Sequence, residues 1–592
     1  MNKNHGIIYF VVLALCLIMS THNVLGQKSK NKNKQEASIS QGELNRQAEY
    51  YFTEGEKYFI LEDYTKSVVG FQKSLEYDSD NDVVYFKLAE IYNRTDQLEN
   101  ADKAISQALS MEKGNKFYYL LAADIYTSQG KLDEVAGTYL SLMENIPNSD
   151  HYLANLAAVY IYQQKFDEAI DAYNKMEELF GINEESSFQK QKIYLQLNNV
   201  DKALQEGEKL ISAFPGIPKY VILLSEILSS NGRTSEAIET LSALLESKPE
   251  LSEARLVLAD IYWKERNFTG FQSELEIAFA DAELNINAKI SVLMKYMAYI
   301  PNEQLQKIIP DLVETLTSTN PFDANAQLLS GDIYATFLEK NLVPSAEIDA
   351  VRDKAINSYT IYILEDPSKF AVWQNLLNLE LQVANNDSLS IHAERALELF
   401  PNQAWLYLVN GVALLQEDRS AEAVQMFEMG KKRSSSNIGL TVLLNGYLGD
   451  TYNTLNEYEK SDEAYEAALG LDPNNYIVLN NYSYYLSLRL EKLDLAKKMS
   501  TQLIRSNPDN NTYLDTYAWV HYALGDYEEA KRILEKVVQG DEENAEYYNH
   551  YGDVLYQLGF RDEAVIQWKK ARALDNKLDN IDQKITEKKV IQ

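Results

Sequence analysis

Carboxylates are the most abundant groups in this chain that could do chemistry. Its 592 residues carry 88 Asp and Glu against 56 Lys and Arg, a net charge of −32. Some of them form a ladder: Glu56, Glu90 and Asp124 stand 34 residues apart, Glu226 and Asp260 keep the same interval, and Asp332, Asp450 and Asp553 follow. Aligned carboxylates could draw in a basic segment of a partner through their summed field, and a close pair could do general acid–base work on a glycoside. Such pairs are plentiful on any acidic helical surface, so no glycosidase follows from them. A surface this acidic repels nucleic acid and anionic lipid over most of its extent.

Other chemistry is sparse. Beyond the N-terminal leader the histidines are His151, His392, His521 and His550. None forms a two-histidine metal motif on one helical turn, so surface or packing roles are expected, with no metal and no cofactor. The single cysteine, Cys16, lies inside an apolar run. Once that run is removed, disulfides, thiolate catalysis and cysteine–zinc sites are excluded. There is no phosphate-cradling glycine loop and no nucleophile elbow.

The elements that position these residues are set by a period. ADIY occurs at Ala123–Tyr126 and again at Ala259–Tyr262, four intervals of 34 apart. Tyrosines at 58, 92, 126, 160 and 194 keep that interval, and Tyr262 and Tyr296 resume it after Leu228. Self-similarity of this length marks stacked units that bury their apolar faces only against neighbours. Each unit splits into two helical stripes: Val84, Tyr85, Leu88, Ala89 and Tyr92, then, past a short turn, Ala101, Ala104, Ile105, Ala108 and Leu109. Small residues at Ala101, Ala169, Ala203, Ala237, Ala530 and Ala564 let paired helices approach closely. Prolines at 147, 215, 249, 367, 401, 473 and 508 end second helices at one phase.

These residues resemble the tetratricopeptide repeat. Tyr548, Tyr551, Gly552, Leu555, Ala564, Trp568 and Ala571 fill the family's pattern in the last full unit, with Asn576 where its proline would stand. Tyr119, Ala122, Ala123, Tyr126, Val135, Tyr139, Leu142 and Pro147 fill it earlier. The resemblance implies an all-α solenoid superhelix of about fifteen helix–turn–helix repeats with a C-terminal capping helix. Units start at 48, 82, 116, 150, 184, 218, 252, 286, 324, 370, 404, 442, 476, 511 and 545. Seven regular repeats then fill 48–285 and six fill 370–578, with a cap over 579–592. Between them, 286–369 is irregular: Pro301 and Pro310 interrupt one unit and FLEKNLVPSAEIDAV lengthens the next, so that a hinge between the two arrays is one reading of it and a simple lengthened helix pair another.

By the same resemblance, first helices line a concave groove, which places the carboxylate ladder on that face. An acid or amide there also serves solubility and helix–helix hydrogen bonding. Trp263, Trp405 and Trp519 fall at groove or ridge positions, as partner anchors or as packing between repeats, whereas Trp373 and Trp568 match core places. The Lys, Arg and Asn set of the family's clamp for acidic peptide tails is not apparent.

Ahead of the array, residues 1–26 read as a signal peptide: Lys3 and His5, the apolar run Ile7–Met19, and cleavage after Gly26. That run is shorter than the roughly 20 residues a bilayer span requires, so no stable membrane span is expected. Residues 27–47, with Lys28, Lys30, Lys32 and Lys34, read as a polar, basic, disordered linker. The leader and the Tyr- and Asn-rich text resemble Bacteroidota envelope proteins, which implies an exported, periplasmic or envelope location and work in secretion, motility or surface-polysaccharide assembly. The function expected is a non-enzymatic scaffold that offers its groove to protein partners with a basic segment. The alternative is an envelope enzyme, glycan-active for example, with its site in 286–369.

Overall fold

In a computed structural model the chain is described over residues 40–383, 387–540 and 544–591. Residues 1–26, expected to be a signal peptide, and residues 27–39 of the expected linker lie outside the described residues. Among those described, every regular element is helical, and none is long and apolar enough to cross a membrane. Two compact units divide at Asn231/Gly232, inside the sixth sequence repeat. Through Asn231 the chain forms five helix pairs and the helix Pro218–Ser230; from Gly232 it forms the helix Thr234–Ser247, nine pairs and a short terminal helix. Each unit is an α-solenoid.

Local chemistry sets the boundaries. Asparagine caps many first helices: the side chains of Asn81, Asn183, Asn437, Asn475, Asn510 and Asn544 accept backbone N–H groups of the helices they precede. Much of the Asn-rich text is therefore helix punctuation. In the regular repeats up to residue 285 the turn between the two helices passes through a left-handed residue, and these recur on the sequence period: Glu62, Asp96, Gly130, Gln164, Asn198, Gly232 and Arg266 all have positive φ, between 56° and 77°. The second helices of the regular repeats stop two residues before the prolines at 147, 215 and 249.

Packing follows the two stripes. Val84, Leu88, Ala89, Ala101, Ala104, Ile105 and Ala108 share one buried core with Phe71 and Tyr118 of the flanking repeats. The small residues Ala101, Ala169, Ala203, Ala530 and Ala564 are fully buried on the second helices of their pairs, and Ala237 is fully buried as well. Glycines do the same under larger rings. A Cβ on Gly55 would lie 2.7 Å from Phe71, on Gly331 2.6 Å from Tyr359, on Gly449 2.5 Å from Tyr465 and on Gly552 2.5 Å from Trp568. Each ring lies on the bare backbone of its partner helix.

Four boundaries differ from the sequence reading. The first helix spans Gln41–Ile60, so residues 41–47 are helix and not linker; the Ala48 carbonyl, on that helix, accepts from the buried Ser74 hydroxyl. The twelfth repeat begins at Ile438 in place of 442, because Asn437 supplies the cap. Pro310 does not interrupt its unit: the helix Glu303–Thr319 runs through it, giving up one backbone donor while Ile308, Ile309, Leu312 and Val313 bury their side chains. The cap is the seven-residue helix Ile581–Glu587, shorter than 579–592, with Ile581 buried and Leu578 and Ile585 against the same core.

The irregular region holds the helices Ile286–Met297 and Glu303–Thr319, then two lengthened ones, Ala324–Glu339 and Ile348–Glu365, joined through a short 3-10 turn at Ser345–Glu347. One continuous core runs through it, from Ala259 by way of Tyr334 and Tyr359 to Trp373 and Ala413.

The glycine contacts predict opposite outcomes for one substitution. Gly449→Ala drives a methyl into the Tyr465 ring and is expected to destabilise by about 1–3 kcal/mol. Gly137→Ala, in a helix interior with no atom within 4 Å of the added carbon, is expected to stabilise by roughly 0.5–1 kcal/mol. Urea unfolding followed by circular dichroism checks both signs. At the turns, Gln164→Gly relieves a left-handed non-glycine residue and is expected to gain about 0.5–1 kcal/mol by the same assay.

Candidate functional site

The carboxylate ladder lies on first helices, and its members fall into groups by what they touch. Three belong to a recurring latch. In Gly331-Asp332, Gly449-Asp450 and Gly552-Asp553 the glycine admits a ring from the second helix, and that ring donates to the aspartate that follows it. Tyr359 Oη lies 2.7 Å from Asp332 Oδ1, Tyr465 Oη 2.5 Å from Asp450 Oδ1, and Trp568 Nε1 2.8 Å from Asp553 Oδ1. Where the ring is a phenylalanine with no donor, as at Gly55/Phe71 and Gly411/Phe427, the next residue is Glu56 or Val412. The aspartate thus answers a buried ring donor that would otherwise lose its water partner.

Asp553 is the most completely enclosed. It is buried, and Lys584 Nζ of the terminal helix donates to its two oxygens at 2.8 and 2.7 Å and to Asn549 Oδ1 at 3.0 Å. This member is a structural ion pair that fastens the cap, not a groove residue. Asp260 is half-buried between Lys264, at 3.0 Å, and Lys295, and also accepts from Tyr296 Oη at 3.0 Å. Burial raises its pKa, but Lys295 and Lys264 outweigh burial and hold it below the usual carboxylate value. Glu90 pairs with Arg94 at 2.8 Å and shares Lys87 with Glu56, both at 3.5 Å. Asp124 is exposed and accepts from Asn93 Nδ2 at 2.6 Å. Glu226 is exposed at the rim of a cleft of about 350 Å³ between the helices Glu184–Gln196 and Pro218–Ser230, walled by Phe188, Leu195, Leu223 and Ile227.

The tryptophans pack between repeats. Trp263 is half-buried in a ring cluster with Phe268, Phe271, Tyr296 and Tyr299, at centroid distances of 5.2–5.8 Å. Trp405 packs edge-on to Phe370 and against the surrounding cores. Trp519 is stacked on Tyr522 at 4.5 Å and on His550 at 4.0 Å. Trp373 and Trp568 are fully buried.

The polar pair Asp515–His550 was not anticipated. His550 is buried, and its Nδ1 lies 3.0 Å from both oxygens of Asp515, one repeat back. Burial alone would depress this imidazole; Asp515 first, then Asp553 and Glu546, raise its pKa above the ordinary 6.5. His521 Nδ1 meets Asp526 at 2.9 Å, and His392 Nδ1 meets the buried Glu380 at 2.7 Å. Among the described residues no three His, Cys, Asp or Glu side chains converge as a metal site. In 286–369 Glu314 pairs with Lys354, and Asp349 with Arg352 at 2.5 Å.

A second cleft, of about 450 Å³, lies between the helices Ile438–Thr454 and Tyr476–Arg489. Asp450 lies in it, beside Val442, Leu443, Ile477 and Val478. The site's recurring form is thus a cleft between consecutive first helices, apolar on its walls and acidic at one end.

Family models match three stretches: the second ARM domain of tetratricopeptide repeat protein 21 over residues 2–266, and the tetratricopeptide repeat over 448–475 and 517–575. The TPR repeat-containing protein PA4667 of Pseudomonas aeruginosa is 25% identical over 151 residues, which are 25% of this chain and 25% of that protein. The chain therefore spans a quarter of that relative's length. Among solved structures, the APC/C hetero-tetramer Cut9-Hcn1 is 13% identical, with 91% of this chain and 96% of that chain covered and a TM-score of 0.36. A tetratricopeptide repeat protein from Parabacteroides merdae is 15% identical, with 43% and 98% covered and a TM-score of 0.35.

Two predictions follow from the buried pairs. Asp553→Asn leaves the Lys584 ammonium buried without its counter-charge and is expected to cost about 3–5 kcal/mol; adding Lys584→Met restores most of it. Urea unfolding read by tryptophan fluorescence measures both. For His550, the folded pKa lies above the unfolded one, so the stability it contributes is complete below pH 6.5 and is lost as pH rises through the folded value. Hydrogen exchange in the helix Ala545–Gln557 should therefore quicken with rising pH beyond its intrinsic dependence, and His550→Gln should abolish that excess.

Proposed function

This chain is a tetratricopeptide repeat protein, and from that premise we propose that it is an exported scaffold of the bacterial cell envelope that binds protein partners along its first helices. A tetratricopeptide array is a protein-interaction scaffold in general. One observation carries the more specific reading: successive first helices leave clefts with apolar walls and a carboxylate at the rim or base, at 188–231 and at 439–481. Such a cleft is built before the partner arrives, so association spends little free energy on ordering the surface. Export is supported by the apolar run Ile7–Met19 behind Lys3. Assembly of secretion, motility or surface-polysaccharide machinery is the setting this reading points to.

The test uses the full mature chain, immobilised and exposed to envelope extract, beside a variant carrying Asp124→Lys and Glu226→Lys. Both positions are exposed, so the thermal midpoint is expected to stay unchanged while capture of at least one protein falls about tenfold. A chain that captures no protein, or a variant that captures the same proteins equally, contradicts the reading. Mass spectrometry of the chain recovered from the envelope should show an N-terminus at Gln27; a chain retained whole in the cytoplasmic fraction removes the envelope assignment.

A further inference from the structure

The latch aspartates differ in how their charge is met. At Asp553 the chain supplies a cation: Lys584, 31 residues on, reaches both carboxylate oxygens. At Asp450 the residue 31 positions on is Asn481, a neutral amide whose Nδ2 donates to Oδ1 at 3.0 Å. The other donor, Tyr465 Oη, goes to the same oxygen. Asp450 Oδ2 therefore has no protein donor among the described residues, and no Lys, Arg or His there forms an ion pair with this carboxylate. Burial, the dominant influence, pushes its pKa up, and the two neutral donors only partly oppose this. A half-buried carboxylate without a counter-ion is costly, so a cation that reaches it binds with the benefit of neutralising it.

The surroundings select what kind of cation. The cleft has about 450 Å³ of space, enough for one long side chain and part of its neighbour. Its floor is kept low by Gly446, and a Cβ there would only touch Val478 at an ordinary 3.5 Å. Packing therefore does not require glycine at 446, unlike at Gly449 three residues on. Leu443 and Ile477 stand exposed at the walls. A bare inorganic cation would leave these apolar walls in water, whereas a lysine or arginine stem covers them while its charged head reaches the carboxylate.

The geometry points to a subsite at Asp450 for one lysine or arginine of a partner protein's segment, flanked by an aliphatic residue. The inference rests on the scaffold reading and specifies the partner chemistry at one cleft. The basic head donates to Oδ2 of Asp450, the stem lies over Gly446, and the flanking aliphatic residue meets Leu443 and Ile477. Other ladder members cannot serve in this way where a cation is already seated, as at Asp260 and Asp553.

The experiment is a positional-scanning library of acetylated, amidated hexapeptides selected on the immobilised full mature chain, with Asp450→Asn and Asn481→Lys as comparisons. Asn481→Lys places inside the chain the cation that Lys584 provides to Asp553, so it should occupy the carboxylate without removing it. The wild type is expected to enrich Lys or Arg at one position by about tenfold or more beside Ile, Leu or Val. Both variants should lose the basic preference and keep the aliphatic one. Circular dichroism identifies any variant that fails to fold, and the other variant then decides. Selection of aliphatic residues alone by the wild type, or a basic preference that survives in a folded variant, overturns the subsite. The same immobilised chains probed with envelope extract separate the two levels: proteins retained undiminished by Asp450→Asn and Asn481→Lys remove this subsite only, whereas a wild type that captures nothing removes the scaffold reading.

Discussion

A helix pair of this length cannot bury its apolar face alone, and that constraint organises the rest of the chain. Each pair must lean on the next, so the side chains that meet between pairs have to recur in phase. The left-handed turn residues from Glu62 to Arg266 keep that phase in the backbone. The buried alanines and the glycines beneath Phe71, Tyr359, Tyr465 and Trp568 keep it in the packing. Volume is matched locally: a ring on one helix requires a missing side chain on its partner, and density is maintained pair by pair.

Polar chemistry is subordinate to this stacking. A tyrosine or tryptophan that enters the helix–helix contact brings a donor with it, and Asp332, Asp450 and Asp553 answer that donor. The carboxylate ladder is therefore first a set of internal acceptors. Neighbouring repeats then decide how much charge remains. Lysines close Asp260 and Asp553, Lys87 bridges Glu56 and Glu90, and only amide and phenol donors reach Asp450. Binding capacity is what stacking leaves unneutralised, and it is confined to particular clefts.

The periodic part of this was legible in the sequence. ADIY, the tyrosine series and the phased prolines carry the helix pairs because they are themselves the repeating contacts. First helices begin at Asp82, Lys116, Glu184, Pro218, Ser252 and Ile286, on the 34-residue interval. Less legible were features set by side chains a repeat away. Lys584 serves Asp553 from 31 residues on, and His550 meets Asp515 across 35; a search for complementary residues at those two separations would have found both. Trp263 and Trp519 sit at positions compatible with partner anchoring, and only the packing of Trp263 against Tyr299 and the stacking of Trp519 on His550 show that repeats use them internally. The helix from Gln41 was hidden because its first two turns are polar and precede the first tyrosine of the series. Pro310 misled because a single missing donor is tolerated where the surrounding apolar face is fully buried.

Neighbour-to-neighbour stacking is tested most directly by hydrogen exchange across the unit from Gly232 after Phe271→Ala. Phe271 is fully buried in the core that runs from Ala259 to Ala413. Loss of protection is expected to be greatest in the helices Ser252–Lys264 and Phe268–Ala280, and to decay repeat by repeat beyond them. Uniform loss across the whole unit, or loss confined to position 271 itself, would contradict an array held together by adjacent pairs.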